Sequence, residues 1–193
     1  MIPSIADIKK KANPGYKISG CTIDTGRALD YDDAFERLME SYSIYYNVTR
    51  HEDSPDFAAE AVFDSKGEQY FLIKAAKVAE MHTAEYVYFA REDTLTADRL
   101  RELDIKAWDT GTEHVEPSVN HKNTDVVLLI IAHKISDEAK SLIKDIKHSR
   151  TYMFALHGFS NYRLVAIETD TGIAYFNKQA RILRSLIGNI LVR

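Results

Sequence analysis

A single mixed domain, α/β or α+β, with a central sheet flanked by helices in the order αβββ(α)βαβαβββα, is predicted by three features of the sequence. An uninterrupted apolar run at 126–132, VVLLIIA, suits a central strand covered on both faces. Stretches of strand period, such as 57–64, alternate along the chain with segments of helical period, such as 35–42. The 193 residues are enough to bury one sizeable core, and no internal repeat or interdomain linker divides them.

Composition narrows the class further. With 45% hydrophobic and 28% charged residues, 8 Gly and 4 Pro, the chain reads as globular rather than low-complexity. A formal charge of -4 supplies no overall drive toward nucleic acid or an anionic membrane. Cys21 is the only cysteine, which excludes an intramolecular disulfide and points to the cytoplasm. No apolar stretch follows Lys9, Lys10 and Lys11, so no secretory signal is read there. The 126–132 run falls far short of the ~20 residues that cross a bilayer, so no membrane partner is expected.

In chain order, residues 1–26 carry Pro3, Asn13-Pro14-Gly15 and Ser19-Gly20 without periodicity and read as an irregular arm, leaving 27–193 as the domain. Phe35, Leu38, Met39 and Tyr42 recur at helical spacing and predict a helix over 30–42, capped by Asp30, with Asp32, Asp33 and Glu36 at its positive end. The aromatic and β-branched stretch 43–50 reads as a strand and 51–56 as a polar loop. Phe57, Ala59, Ala61 and Phe63 then alternate with Ala58, Glu60, Val62 and Asp64. A three-residue turn Ser65-Lys66-Gly67 would pair Asp64 with Glu68 and bring a second strand, 70–75, alongside. That register sends Glu60, Asp64, Glu68, Tyr70 and Lys74 to one face.

A short helix at 76–83, a strand at 86–90 and a helix at 94–106 follow, the last capped by Thr94 or Thr96. Residues 108–124 read as a long irregular loop. After the apolar strand, Ser136 caps a helix whose stripe is Ala139, Leu142, Ile143 and Ile146, closed by Lys147, His148 and Arg150. Strands are predicted at 152–157, 162–168 and 172–176, and a last helix at 178–191 buries Ile182, Leu183, Leu186, Ile187, Ile190 and Leu191.

Three groups of residues are candidates for chemistry. The carboxylates Glu60, Asp64 and Glu68 beside Lys74 have the character of a site for a hard divalent cation, Mg or Mn, that would orient a water for phosphodiester hydrolysis. The competing structural reading is a solvated sheet face with cross-strand ion pairs. Glu113-His114-Val115-Glu116 with His121 contains metal-ligating types, but Pro117 forbids a helical His-x-x-x-His arrangement and an ordinary polar loop accounts for them. His133 closes the apolar strand at its carboxyl end, where parallel sheets place ligands, and His157 and Arg163 would join it in a small-ligand site. Cys21 lacks a neighbouring base and reads as inert. Arg181, Arg184 and Arg193 give the last helix a basic side, read as a solvated face.

The order helix, strands, hairpin, helix, strand, helix, strand is similar to the core of restriction-endonuclease-like nucleases, whose signature is Pro-Asp followed by Asp/Glu-x-Lys on the next strand, and the resemblance covers about 30–105. Pro55-Asp56 and Asp64-Ser65-Lys66 match the string, and Lys74 stands where that family's lysine is expected, with Leu72 in place of its acid. The resemblance implies a metal-dependent nuclease or a relative that only binds nucleic acid. Because no complete catalytic set assembles from the residues themselves, the leading expectation is action by binding or association, including a homodimer served by some of the 11 tyrosines. The nuclease is the alternative and a small-ligand domain the third reading.

Overall fold

The computed structural model describes residues 15–65 and 82–193. Nine strands are found among them: β1 (Lys17–Ser19), β2 (Thr22–Asp24), β3 (Asn47–Arg50), β4 (Ala59–Asp64), β5 (His82–Leu95), β6 (His121–Ile135), β7 (Ser149–Thr151), β8 (Phe159–Glu168) and β9 (Ile173–Phe176). Four helices flank them, α1 (Tyr31–Ser43), α2 (Ala97–Glu113), α3 (Asp137–Asp145) and α4 (Arg184–Leu191), with a 3-10 turn at Gln179–Leu183 leading into α4. All nine strands form one mixed sheet, eight of them in the order β1-β2-β9-β8-β6-β5-β4-β3 with β7 paired to β8 off that path, so the fold is a single α+β domain.

The central strands β5, β6 and β8 run parallel, and α2 and α3 supply the crossovers. All other pairings are antiparallel. Both crossover helices lie on one face of the sheet, where Leu100, Leu103, Ala139 and Ile143 pack on Tyr88, Leu128, Ile130 and Leu164. On the other face α1 and α4 bring Leu38, Tyr42, Ile187 and Ile190 against Val87, Phe89, Leu129 and Val165. Side chains alternate between these two cores along each strand, so every parallel strand is apolar on both sides. The edge of β8 is shared: β7 pairs with 159–161 and β9 with 165–168. Between them the buried Asn177 side chain accepts from Leu164 N and Ala180 N and donates to the carbonyls of Ile146 and Tyr162.

Several boundaries differ from the sequence expectation for identifiable reasons. Part of the irregular arm is a hairpin, β1 with β2, closed at Gly20 (φ 53°) and pinned by Ile23 in the core. Ser43 ends the first helix and 44–46 form a turn instead of starting a strand, with Tyr42 and Tyr46 meeting edge to face at 5.1 Å across it. Helix α2 extends through 108–113, expected to be loop, because Trp108, Gly111 and Thr112 continue the buried stripe of Leu100, Leu103 and Ala107. Gly111 and Thr112 are poor helix formers, which hid this in the sequence. Ile182 is exposed, since the 3-10 turn rotates it off the helical stripe.

The residues at 152–157, expected in a strand, form a turn in which Met153, Phe154 and Ala155 have φ of 47°, 53° and 68°. Each such left-handed residue costs ~1–2 kcal/mol. The hairpin itself is also rearranged: the strand pairing with β4 is β5, so Asp64, expected opposite Glu68, stands opposite Ala84, and Glu60 opposite Tyr88. Phe57 precedes β4 and packs with Tyr88 on the α2 side, away from Ala59 and Ala61. The expected turn at Lys66 and Gly67, the strand over 70–75 and most of the helix over 76–83 lie outside the described residues, while His82 and Thr83 belong to β5.

Candidate ligand-binding cleft

A cleft of about 510 Å³ opens between the end of α1 and α4, over the first half of the parallel strands. Its floor carries three charged side chains from three adjacent strands: Glu85 of β5, Asp125 of β6 and Arg163 of β8. All three occupy positions whose side chains face α1 and α4, in step with Val87, Val127 and Val165. Glu85 and Asp125 are direct neighbours in the ladder, whereas Arg163 lies two residues beyond Asp125's partner Asn161 and reaches back. Its Nη2 donates to Asp125 Oδ2 at 2.8 Å and its Nη1 to Glu85 Oε2 at 3.4 Å. Asn161 and Asn123 donate to the two Asp125 oxygens at 3.2 and 3.3 Å.

The electrostatics of this floor follow from its burial. Desolvation pushes the Glu85 carboxyl above its ordinary value, Arg163 opposes this, and the charge of Asp125 adds to it. Two carboxylates thus share one guanidinium in a low-dielectric setting. Above them Tyr42 and Tyr46 line the wall, and burial together with the nearby Glu85 charge raises both phenols well above their ordinary value. The Tyr42 ring is fixed edge to face against Tyr46 and Phe89. Its hydroxyl, in a side chain only 3% exposed, has no hydrogen-bond partner among the described residues, and neither does the hydroxyl of the preceding Ser41. Unsatisfied buried hydroxyls in a native core are uncommon, and here both belong to residues that line the cleft. The remaining wall is mainly apolar, with the exposed Ile44, Tyr45 and Ile182 and the half-buried Leu186, and Ser185, Asn189 and Arg193 add polar groups.

Of the residues expected in a small-ligand site, Arg163 alone lies in this cleft. His133 sits at the opposite end of β6, ~26 Å away along the strand at ~3.3 Å per residue, stacked on Tyr31 at 4.2 Å and facing Asp170 at 3.6 Å. The Arg91 guanidinium lies over the same Tyr31 ring, so that stack is filled by the protein itself. His157 is in the β7–β8 turn, where its carbonyl meets His121 Nδ1 at 2.7 Å. The cleft thus opens at the amino end of the parallel strands rather than at the carboxyl end where a ligand site was expected, and His133 and His157 do not converge with Arg163.

Glu60 and Asp64 lie on one face of β4, with Glu60 Oε1 3.7 Å from His51 Nε2. Glu68 and Lys74 lie outside the described residues. Asp56, in the Pro-Asp pair of the nuclease resemblance, is bound by Arg99 at 2.9 Å and by Lys106. Among the described residues no three His, Cys, Asp or Glu side chains gather closely enough to hold a metal ion. His114 stacks on Tyr86 at 4.8 Å and His121 is buried between His157 O and Thr124, so the Glu113–Glu116 segment and His121 do not converge either. Arg184 is tied to Gly20 O and Arg181 O, leaving Arg193 as the member of the basic set that reaches the cleft.

Among the described residues no helix is long and apolar enough to cross a membrane. No curated protein and no solved structure matches the chain at a significant level. A family model does match, over residues 30–188, from the cap of α1 into α4 and across both walls and the floor of the cleft: the chain belongs to the family described as a domain of unknown function, DUF8052.

Proposed function

We propose that this domain acts by binding, and that it binds a small amphipathic molecule in the cleft between α1 and α4. The apolar body of the ligand lies against Tyr45, Ile182 and Leu186, and its polar end reaches the Tyr42 hydroxyl and the Glu85–Arg163–Asp125 floor. One observation carries this reading: Tyr42, whose buried hydroxyl has no hydrogen-bond partner among the described residues, lines a cavity of about 510 Å³. That volume falls within the ~300–1,000 Å³ of small-molecule sites, which join apolar walls to a few convergent polar groups. Cys21 as the only cysteine allows no intramolecular disulfide, which supports a reducing compartment such as the cytoplasm as its site of action.

A fragment screen by amide chemical-shift mapping tests the proposal. Binders are expected to move the amides of 41–46 and 185–190 together, and Leu186→Trp, which fills the cleft, is expected to abolish their effect. Binders that shift only residues elsewhere, or that ignore Leu186→Trp, would refute it. A divalent-metal nuclease is the second reading, supported by Glu60 and Asp64 sharing one face of β4. Manganese-induced broadening of the β4 amides, lost in Glu60→Ala, together with cleavage of DNA, would favour it.

A further inference from the structure

The turn joining β7 to β8 is the most exposed apolar feature among the described residues. Phe154 is 99% exposed, Leu156 75% and Met153 62%, and Val119 of the adjoining turn is 76% exposed. The turn is well braced rather than loose. Tyr152 N donates to Gly158 O, Leu156 N to Met153 O and Gly158 N to Ala155 O, and the Tyr152 hydroxyl meets Ser160 Oγ at 2.9 Å. Gly158 (φ 81°) lets the base of the turn close on β6, where any Cβ would fall 2.5 Å from His121 O. The structure therefore holds three non-glycine residues in the left-handed region and uses them to present a phenylalanine to solvent, a pattern that points to function.

The surroundings of this tip are basic. Between Asp145 and Glu168 the chain has no carboxylate side chain, and its exposed cations there are Lys147 and Arg150, while Arg163 is paired with Asp125 and Glu85 in the cleft floor. Arg150 projects on the α2 side near Trp108, and Lys122 flanks Gly158. Both are exposed, and neither forms an ion pair among the described residues. Of the acids of α2, Asp104 is bound to His148 at 2.9 Å, and Glu113 acts on Tyr88 of β5, two strands away from β8. Glu116 in the adjoining turn has an interaction of its own.

We propose that the 152–157 turn docks on an anionic lipid surface, with Met153, Phe154 and Leu156 entering the bilayer interface while Lys122 and Arg150 contact the head groups. Shallow apolar insertion and basic contacts are each insufficient alone and bind together. A small convex tip with charged flanks suits a bilayer better than a second copy, since a stable dimer buries ~1,200–2,000 Å² of complementary surface. The sequence expectation of no membrane partner counted only spanning segments and net charge, and neither measures a local tip of this kind. This inference is independent of the cleft.

Co-sedimentation of the full chain with vesicles of phosphatidylcholine, alone or mixed with phosphatidylglycerol, tests it. The protein is expected to pellet with the mixed vesicles and to be released by salt. Phe154→Gly removes the ring while easing a left-handed residue, so it keeps the fold, and it is expected to weaken binding about tenfold or more. Lys122→Glu with Arg150→Glu is expected to do the same. No pelleting with the mixed vesicles, or binding unchanged by Phe154→Gly, would overturn the proposal. So would concentration-dependent self-association abolished by Phe154→Gly without vesicle binding, which would assign the tip to a second copy.

Discussion

Arg163 and Asp125 meet at 2.8 Å on neighbouring parallel strands, and the same guanidinium reaches Glu85 on the next strand at 3.4 Å. All three side chains are less than one-fifth exposed. Replacing Arg163 with Met keeps the length of the side chain and leaves two carboxylates facing each other without a cation. Removing one partner of a buried ion pair costs ~3–5 kcal/mol, so Arg163→Met is expected to lose stability on that scale in urea unfolding. A loss below ~1 kcal/mol, the scale of surface pairs, would mean that solvent already screens the floor of the cleft.

Tyr42 gives the opposite sign. Its hydroxyl is buried and has no partner among the described residues, while its ring packs on Tyr46 and Phe89. Tyr42→Phe keeps the packing and removes a desolvated polar group, so it is expected to raise stability, by ~1 kcal/mol. A ligand that uses this hydroxyl should bind Tyr42→Phe about tenfold more weakly. Thermal unfolding with and without a cleft binder measures both changes, and a destabilised Tyr42→Phe would show that the hydroxyl has a partner in solution.

Two glutamates impose opposite pH dependences. Burial raises the folded-state pKa of Glu85, so its contribution is fully present below the ordinary glutamate value and is lost as pH rises through the raised one. For Glu168 burial again pushes upward, but Ile135 N–H at 2.8 Å, the Thr171 hydroxyl at 2.7 Å and Lys140 at 3.0 Å outweigh it and hold the carboxyl low. Its contribution is present above the ordinary value and disappears as pH falls through the lowered one. Relative to wild type, Glu85→Gln should therefore gain stability from acid to neutral pH, whereas Glu168→Gln should lose it. Urea midpoints measured across that range decide both, and parallel curves for the two variants would contradict the assignment.

Much of the fold was legible because it rests on local signals. Asp30, Thr96 and Ser136 each accept from the backbone three residues on, as cap chemistry requires, and VVLLIIA is the doubly covered centre of the sheet. The partner of β4 was not legible, since period-2 alternation says which face a side chain takes and nothing about which strand lies alongside. The cleft was visible only in part. Glu85, Asp125 and Arg163 each interrupt an apolar strand with one charge at an inward position, and that shared irregularity was the available signal. It went unread because their convergence depends on the lateral order β5-β6-β8 and on α1 and α4 both packing over the same face, and these are long-range facts.

Gly111 tests how closely the α2 layer sits on the sheet. A Cβ there would lie 2.6 Å from Val126 Cγ2 and 2.8 Å from its Cγ1, and Val126 is fully buried at the centre of the sheet. In a helix interior Gly→Ala gains ~1 kcal/mol from propensity, but overpacking a core costs ~1–3 kcal/mol. The β-branched Val126 has no flexible end to move aside, so the steric cost should win and Gly111→Ala should destabilise. The double variant Gly111→Ala with Val126→Ala removes the clash and keeps the helix propensity. It should therefore be less destabilised than the sum of the two single variants, a coupling that a double-mutant cycle in urea reads directly.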